Sequence, residues 1–225
     1  MTPAGFWRRY AAWSLDAAII GVPTVLLLWR KLGAAASAVS ADYVALLHQI
    51  VRSMTDAIDA GAPPAELVSR WLSDPTLWIA IRTLRHDVLA LLWPPALVFA
   101  ALGALYHVAF EASARQATPG QRALRLQVSD ASGLRVGVPR ALGRHLAGSL
   151  SWLTLNLGHA MAALPPRYLA LHDRMSATRV VQRHRDMPTW VPLWIGAQLL
   201  VCFLLTVALF VATNSVFNAA IDSAL

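Results

Sequence analysis

The chain alternates long apolar runs with short charged ones. From Ala11 to Trp29 it reads AAWSLDAAIIGVPTVLLLW, and Asp16 is the only charged residue in that run. Wound as a helix, the run is about 28 Å long, close to the thickness of a bilayer's hydrocarbon core. This predicts a first membrane helix over Arg9–Trp29, anchored at its far end by Trp29, Arg30 and Lys31 and bent at Pro23. A second apolar run, Val88 to Phe110, holds 23 residues without a charge, enough to cross a bilayer even with the kink expected at Pro94-Pro95. A third run, Trp190 to Ala212, carries no charge and has Trp190 and Trp194 at its mouth, and a short external tail to Leu225 should follow.

The intervening segments carry different periods. In residues 32–87, Tyr43, Leu46, Leu47, Ile50, Val51, Met54 and Ile58 recur at helical spacing, which predicts an amphipathic helix ending near Gly61. Pro63-Pro64 breaks it, a short helix follows over Leu67–Leu72, and Asp74-Pro75 starts the helix that leads into the second span. This insertion should form a helical cap on the membrane. Farther on, Leu124, Leu126 and Val128 alternate with polar residues, Asp130 to Gly133 has turn chemistry, and Leu134, Val136 and Val138 alternate again. That pattern predicts a β-hairpin, with Thr178–Gln182 as a third strand.

Residues 139–165 include Arg144, His145, Ser149, Ser151, Thr154, Asn156 and His159, a poor set for a lipid-facing span. A turn near Leu157-Gly158 would let this segment dip in and return. The expected fold class is an all-α membrane protein with three transmembrane helices and a re-entrant or interfacial helical segment. A small cytosolic β-hairpin or three-stranded element completes it. The expected division is a membrane domain over residues 1–185, including the extracytoplasmic insertion 32–87, and a C-terminal helix with its tail over 188–225.

Composition agrees with a membrane class: 57% of the 225 residues are hydrophobic and 14% charged, against about 25% charged in soluble domains. Charge then sets the orientation. Residues 111–187 hold eleven arginines and four acids, whereas 30–87 hold six basic and six acidic residues. The positive-inside rule therefore puts the first segment in the cytosol with the N-terminus, and the C-terminus outside. The same basic loops suit anionic headgroups, and no nucleic-acid signature accompanies them. A cleavable leader is disfavoured by Asp16 in the apolar core and by Arg30-Lys31 just before the small-residue stretch. Cys202, the single cysteine, has no disulfide partner in the chain and should be a small buried hydrophobe.

Catalytic and metal-spacing motifs are missing from the sequence, so neither an enzyme nor a cofactor is expected. What remains is a set of polar groups at one membrane boundary: Arg8, Arg9, Asp16, His107, Glu111, Arg122 and Asp173. Arg9 and Asp16 share a helix face but stand about 10 Å apart along the axis, so each needs a partner elsewhere. Arg9 could take Asp173 or Glu111, and Asp16 could take His107 or a hydroxyl. This set is either a monovalent cation or proton path with Asp16 titrating, or a fixed clamp docking the surface element onto the first helix.

Three blocks, GFWRRYAAWSLD at Gly5–Asp16, Glu111 with TPGQRALRLQV ending at Val128, and LHDRMSATRVV at Leu171–Val181, resemble the RDD family of bacterial membrane proteins. In that resemblance the two signature aspartates are Asp16 and Asp173, and the arginine is Arg8 or Arg9. Thr118, Pro119 and Gly120 match the family's TPGK loop, with Gln121 replacing the lysine. The resemblance implies an inner (cytoplasmic) membrane protein, in some members linked to cation/proton antiport. Transport would need a homo-oligomer, since three spans are few for a carrier. The alternative is a scaffold or assembly subunit for another membrane complex.

Overall fold

The computed structural model describes residues 2–184 and 186–222. In chain order the elements are β1 (Thr2–Pro3), α1 (Phe6–Asp59), α2 (Pro64–Ser73), α3 (Pro75–Glu111), α4 (Pro119–Ala123), β2 (Leu126–Asp130), α5 (Val138–Leu153), α6 (Leu157–Ala160), α7 (Leu171–Met175), β3 (Thr178–Gln182) and α8 (Trp190–Asp222). Among the described residues α1, α3 and α8 are the helices long and apolar enough to cross a membrane. Of their most apolar windows, that of α8 buries nothing inside the chain and that of α3 only 6%. Surfaces of that kind are stable against lipid tails and costly in water.

Two helices are longer than expected. The first span and the amphipathic stretch are not separate: α1 continues through Pro23 and Gly33 to Asp59. Proline removes one backbone donor, and the alanine-rich residues after Gly33 favour helix strongly enough to carry the chain onward. Likewise α8 extends past Ala212 to Asp222, and residues 223–225 of the expected tail lie outside the described residues. Cys202 is exposed on α8 rather than buried.

The chain divides into two compact units. One comprises Val25–Ala96 and Leu199–Leu225. Within it Val51, Ala57 and Leu77 are buried. Trp71 Nε1 donates to Ser53 Oγ at 2.8 Å, and Gln49 Nε2 to Thr76 Oγ1 at 2.7 Å. Asp74 opens α3 by accepting from Thr76 N at 2.8 Å, as its Asp-Pro pair predicts.

The other unit comprises Met1–Thr24 and Leu97–Gln198. Its sheet has the order β1-β3-β2, antiparallel throughout, with Leu126 opposite Gln182 and Asp130 opposite Thr178. The inward side chains Leu126, Val128 and Val180 pack with Ala11, Ala12, Leu124, Val136 and Val191 in one apolar core. The expected hairpin partner at 134–138 is not a strand. The Asp130 carboxylate accepts from Ser132 N and Leu134 N, curling the chain into a turn, and Gly137 caps α5 instead. The outer edge of β2 is covered by Gln116, whose carbonyl accepts from Val128 N at 2.8 Å while its amide donates to Val128 O at 3.0 Å.

Residues 139–165 return rather than cross. At 16 residues α5 is about 24 Å long, short for a span. The reversal comes at Leu155 and Asn156, both left-handed, with φ 51° and 64°, slightly before the expected Leu157-Gly158. Pairing of β2 with β3 then fixes both ends of this segment at one sheet.

Candidate functional site

The charges of the site come from α1 (Arg9 and Asp16), the end of α3 (Glu111), α5 (Arg144) and α7 (Asp173). The side chains of Asp16 and Asp173 lie in buried residues, each with 1% of its surface exposed, and a buried carboxylate must be answered by donors or cations. Asp16 is answered by donors. Its Oδ2 accepts from Thr118 Oγ1 at 2.5 Å, and its Oδ1 from Gly120 N at 2.8 Å and Tyr106 Oη at 2.7 Å. The α4 turn can come so close because residue 120 is glycine. A Cβ there would overlap the Ala12 carbonyl oxygen and lie 2.8 Å from the Asp16 carboxylate.

Asp173 is answered by cations. Its Oδ2 accepts from Arg9 Nη1 at 2.5 Å and from Ala170 N at 2.9 Å, and its Oδ1 from Arg144 Nη1. Burial works against the Asp173 charge, yet Arg144 and then Arg9 outweigh it and hold the carboxyl well below the usual range. Desolvation likewise opposes the Arg144 charge, but Asp173 and Glu111 raise its pKa on balance. Arg144 Nε lies 3.2 Å from Glu111 Oε2, and its Nη1 donates to Thr178 Oγ1 at 2.8 Å.

Gln121 joins the two centres. Thr118 caps α4 by accepting from Gln121 N at 3.1 Å, while Gln121 Oε1 accepts from Thr118 N at 2.8 Å, a reciprocal capping box. The amide's other end donates to Glu111 Oε1 at 2.9 Å. A polar circuit therefore runs from Asp16 through Thr118, Gln121, Glu111, Arg144 and Asp173 to Arg9, leaving α1 and coming back to it. A lysine at 121 has no acceptor for the Thr118 N–H; the glutamine serves both neighbours.

The two adjacent arginines divide their tasks. Arg9 also donates to Ala4 O and Tyr168 O at 2.9 and 2.7 Å. Arg8 reaches the backbone instead, donating to His184 O at 2.5 Å and to Asp186 O. Of the remaining expected residues, Pro119 opens α4. Arg122 donates to Ala117 O and lies over the Phe110 ring at 5.1 Å. His107 is not Asp16's partner: its ring stacks on His145, centroids 5.6 Å apart, and the hydroxyls of Thr118 and Tyr106 take its place. Tyr106 and Arg144 were the members that sequence reasoning missed. The signal for Arg144 was a lone cation inside an otherwise uncharged stretch, and for Tyr106 a hydroxyl beside His107 in the second span.

Chemically the arrangement holds charge in place. It pairs no nucleophile with a base, and among the described residues no group of three or more His, Cys, Asp or Glu could hold a metal ion.

The model of the RDD family matches residues 3–177, which include Arg8, Arg9, Asp16 and Asp173. A protein of Bacillus subtilis (strain 168), "Uncharacterized protein YxaI", is 28% identical over 181 residues, covering 80% of this chain and 98% of its own length. No solved structure matches the chain. With well over half its length matched by the family model and three helices able to cross a bilayer, the chain is a membrane protein belonging to the RDD family.

Proposed function

We propose that this protein is a non-catalytic scaffold or assembly subunit of the inner (cytoplasmic) membrane, in which the polar circuit locks a surface module onto its membrane helix. The observation that carries this reading is the saturation of both aspartates. Asp16 has three donors from this chain and Asp173 has two arginines and a backbone amide. A transport ligand must exchange partners, whereas a clamp keeps them. The arginine-rich segment 111–187 supports a cytosolic position for the module, against anionic headgroups, with the N-terminus on the same side.

One observation favours a second reading. Among the described residues no cation forms an ion pair with Asp16, so its charge is balanced by two hydroxyls and one amide. A proton or a monovalent cation is the chemistry that would complete such a site in an oligomeric carrier. Inverted vesicles holding the purified protein separate the two. The scaffold reading expects no cation-dependent proton flux, and a constant membrane partner recovered by crosslinking in cells. A flux that is present in the wild type and lost in Asp16→Asn overturns it in favour of transport.

A further inference from the structure

The two faces of α5 differ. Ala141 and Arg144 are buried, in the apolar core and in the polar circuit, whereas Leu142, Leu146 and Leu150 recur every four residues and are 43–58% exposed. Leu155, at the reversal, is 90% exposed. A stripe of this kind suits lipid rather than water. Beside it an open groove of about 400 Å³ lies between α5 and α7, floored by Gly143, Leu146, Ala147 and Leu150 of α5 and by Met175 of α7. Arg140 lines the same groove near the start of α5, the end that meets the sheet at Asp130.

That end is cationic. Arg140 Nη1 donates to Asp130 Oδ2 at 3.2 Å, and Arg179 Nε donates to Asp130 O at 3.1 Å. Two guanidinium groups thus flank one carboxylate, and the mouth keeps a net positive charge. Arg140 is exposed enough to offer its other N–H groups to a further acceptor. The apolar floor runs the other way, toward Leu150 and the reversal at Leu155. A membrane lipid has the matching polarity, charged at one end and apolar along the rest.

We propose that this groove seats one phospholipid with an anionic headgroup, its phosphate at Arg140 and one acyl chain laid along Gly143, Leu146 and Leu150. The site stands under either reading of the function, because it uses no residue of the polar circuit. An acyl chain gains little by leaving the bilayer for another apolar surface, so the choice among lipids falls to the headgroup. One basic side chain near the membrane surface favours an anionic lipid by about fivefold, and salt screens that gain. Residue 143 keeps the seat open. A Cβ on Gly143 would meet nothing within 4 Å, so a larger side chain there would enter the groove without striking the protein.

The test uses the full chain in a nonionic detergent, titrated with phosphatidylglycerol or phosphatidylcholine of the same acyl chains and read by native mass spectrometry. The wild type should hold one phosphatidylglycerol about fivefold more tightly than phosphatidylcholine, a preference that shrinks as salt rises. Arg140→Gln should remove most of that preference, while Arg115→Gln, at an exposed arginine outside the groove, leaves it unchanged. Gly143→Leu should abolish retention of the lipid. An exposed ion pair adds little stability and leucine is a better helix former than glycine, so both groove variants should keep the wild-type circular dichroism. Should Gly143→Leu fail to fold, Arg140→Gln decides alone. A photo-crosslinker placed at Leu146 in cells should attach to lipid. Equal retention of the two lipids by the wild type, a preference that survives Arg140→Gln, or a lipid that survives Gly143→Leu overturns the proposal. A protein adduct at Leu146, whether a second copy or another chain, overturns it too and gives the groove to a protein partner.

Discussion

Asp16 and Asp173 are equally buried, yet they are held in opposite ways. Asp173 sits between two guanidinium groups, so removing it strands two cations. Asp16 sits among neutral donors, so removing its charge strands hydroxyls and one amide. The comparison teaches that a signature built of similar carboxylates carries two different energetic loads. Breaking a buried ion pair from one side costs about 3–5 kcal/mol. A buried neutral donor left unsatisfied costs about 1–3 kcal/mol.

The largest effect belongs to the backbone on which the Asp16 side depends. Gly120→Val should abolish folding, because its Cβ meets the carbonyl of Ala12, which is part of α1 and cannot move aside. The expected readout is an aggregated peak in size exclusion after detergent extraction. Next comes the direct comparison. Asp173→Ala should lose about 3–5 kcal/mol, and Asp16→Asn about 1–3 kcal/mol, in denaturant unfolding in detergent. Equal losses would break the distinction between the two centres.

The smallest expected effect is that of pH. The folded His172 pKa lies below its unfolded value, chiefly through burial. Its contribution is therefore complete above about pH 6.5 and is lost as pH falls toward the folded value. Asp173, also depressed, keeps its contribution down to about pH 4 and loses it only below. Thermal midpoints should thus decline between pH 7 and pH 5, and His172→Gln should flatten that decline without altering the fall below pH 4.

The membrane spans were legible in the sequence because hydropathy over twenty residues is a strong and local signal. So was the Arg9–Asp173 pair as one of two choices, since a charge on an apolar helix must find its opposite. The hairpin was misread at Leu134, Val136 and Val138. Their alternation is real, but Val136 is buried in a loop, and the Asp130 side chain turns the chain before a second strand can pair. Periodicity reports which residues face the core, not which element puts them there. The break between the first span and the amphipathic stretch was misread for a related reason. Polarity changes after Trp29, but helix propensity does not. Arg144 was the costliest omission, because it was weighed as an obstacle to membrane crossing rather than as a partner for Asp173.

The return of the circuit to its own helix has a consequence for biosynthesis. Arg9 and Asp173 are 164 residues apart, so a ribosome adding 5–20 residues per second leaves the first helix incomplete for roughly ten to thirty seconds. Throughout that interval Arg9 lacks its carboxylate, while Asp16 waits only until residues 106–120 have been made. A nascent chain halted before residue 173 would carry this exposed polarity indefinitely, a mark by which membrane quality control could distinguish an unfinished copy from a finished one.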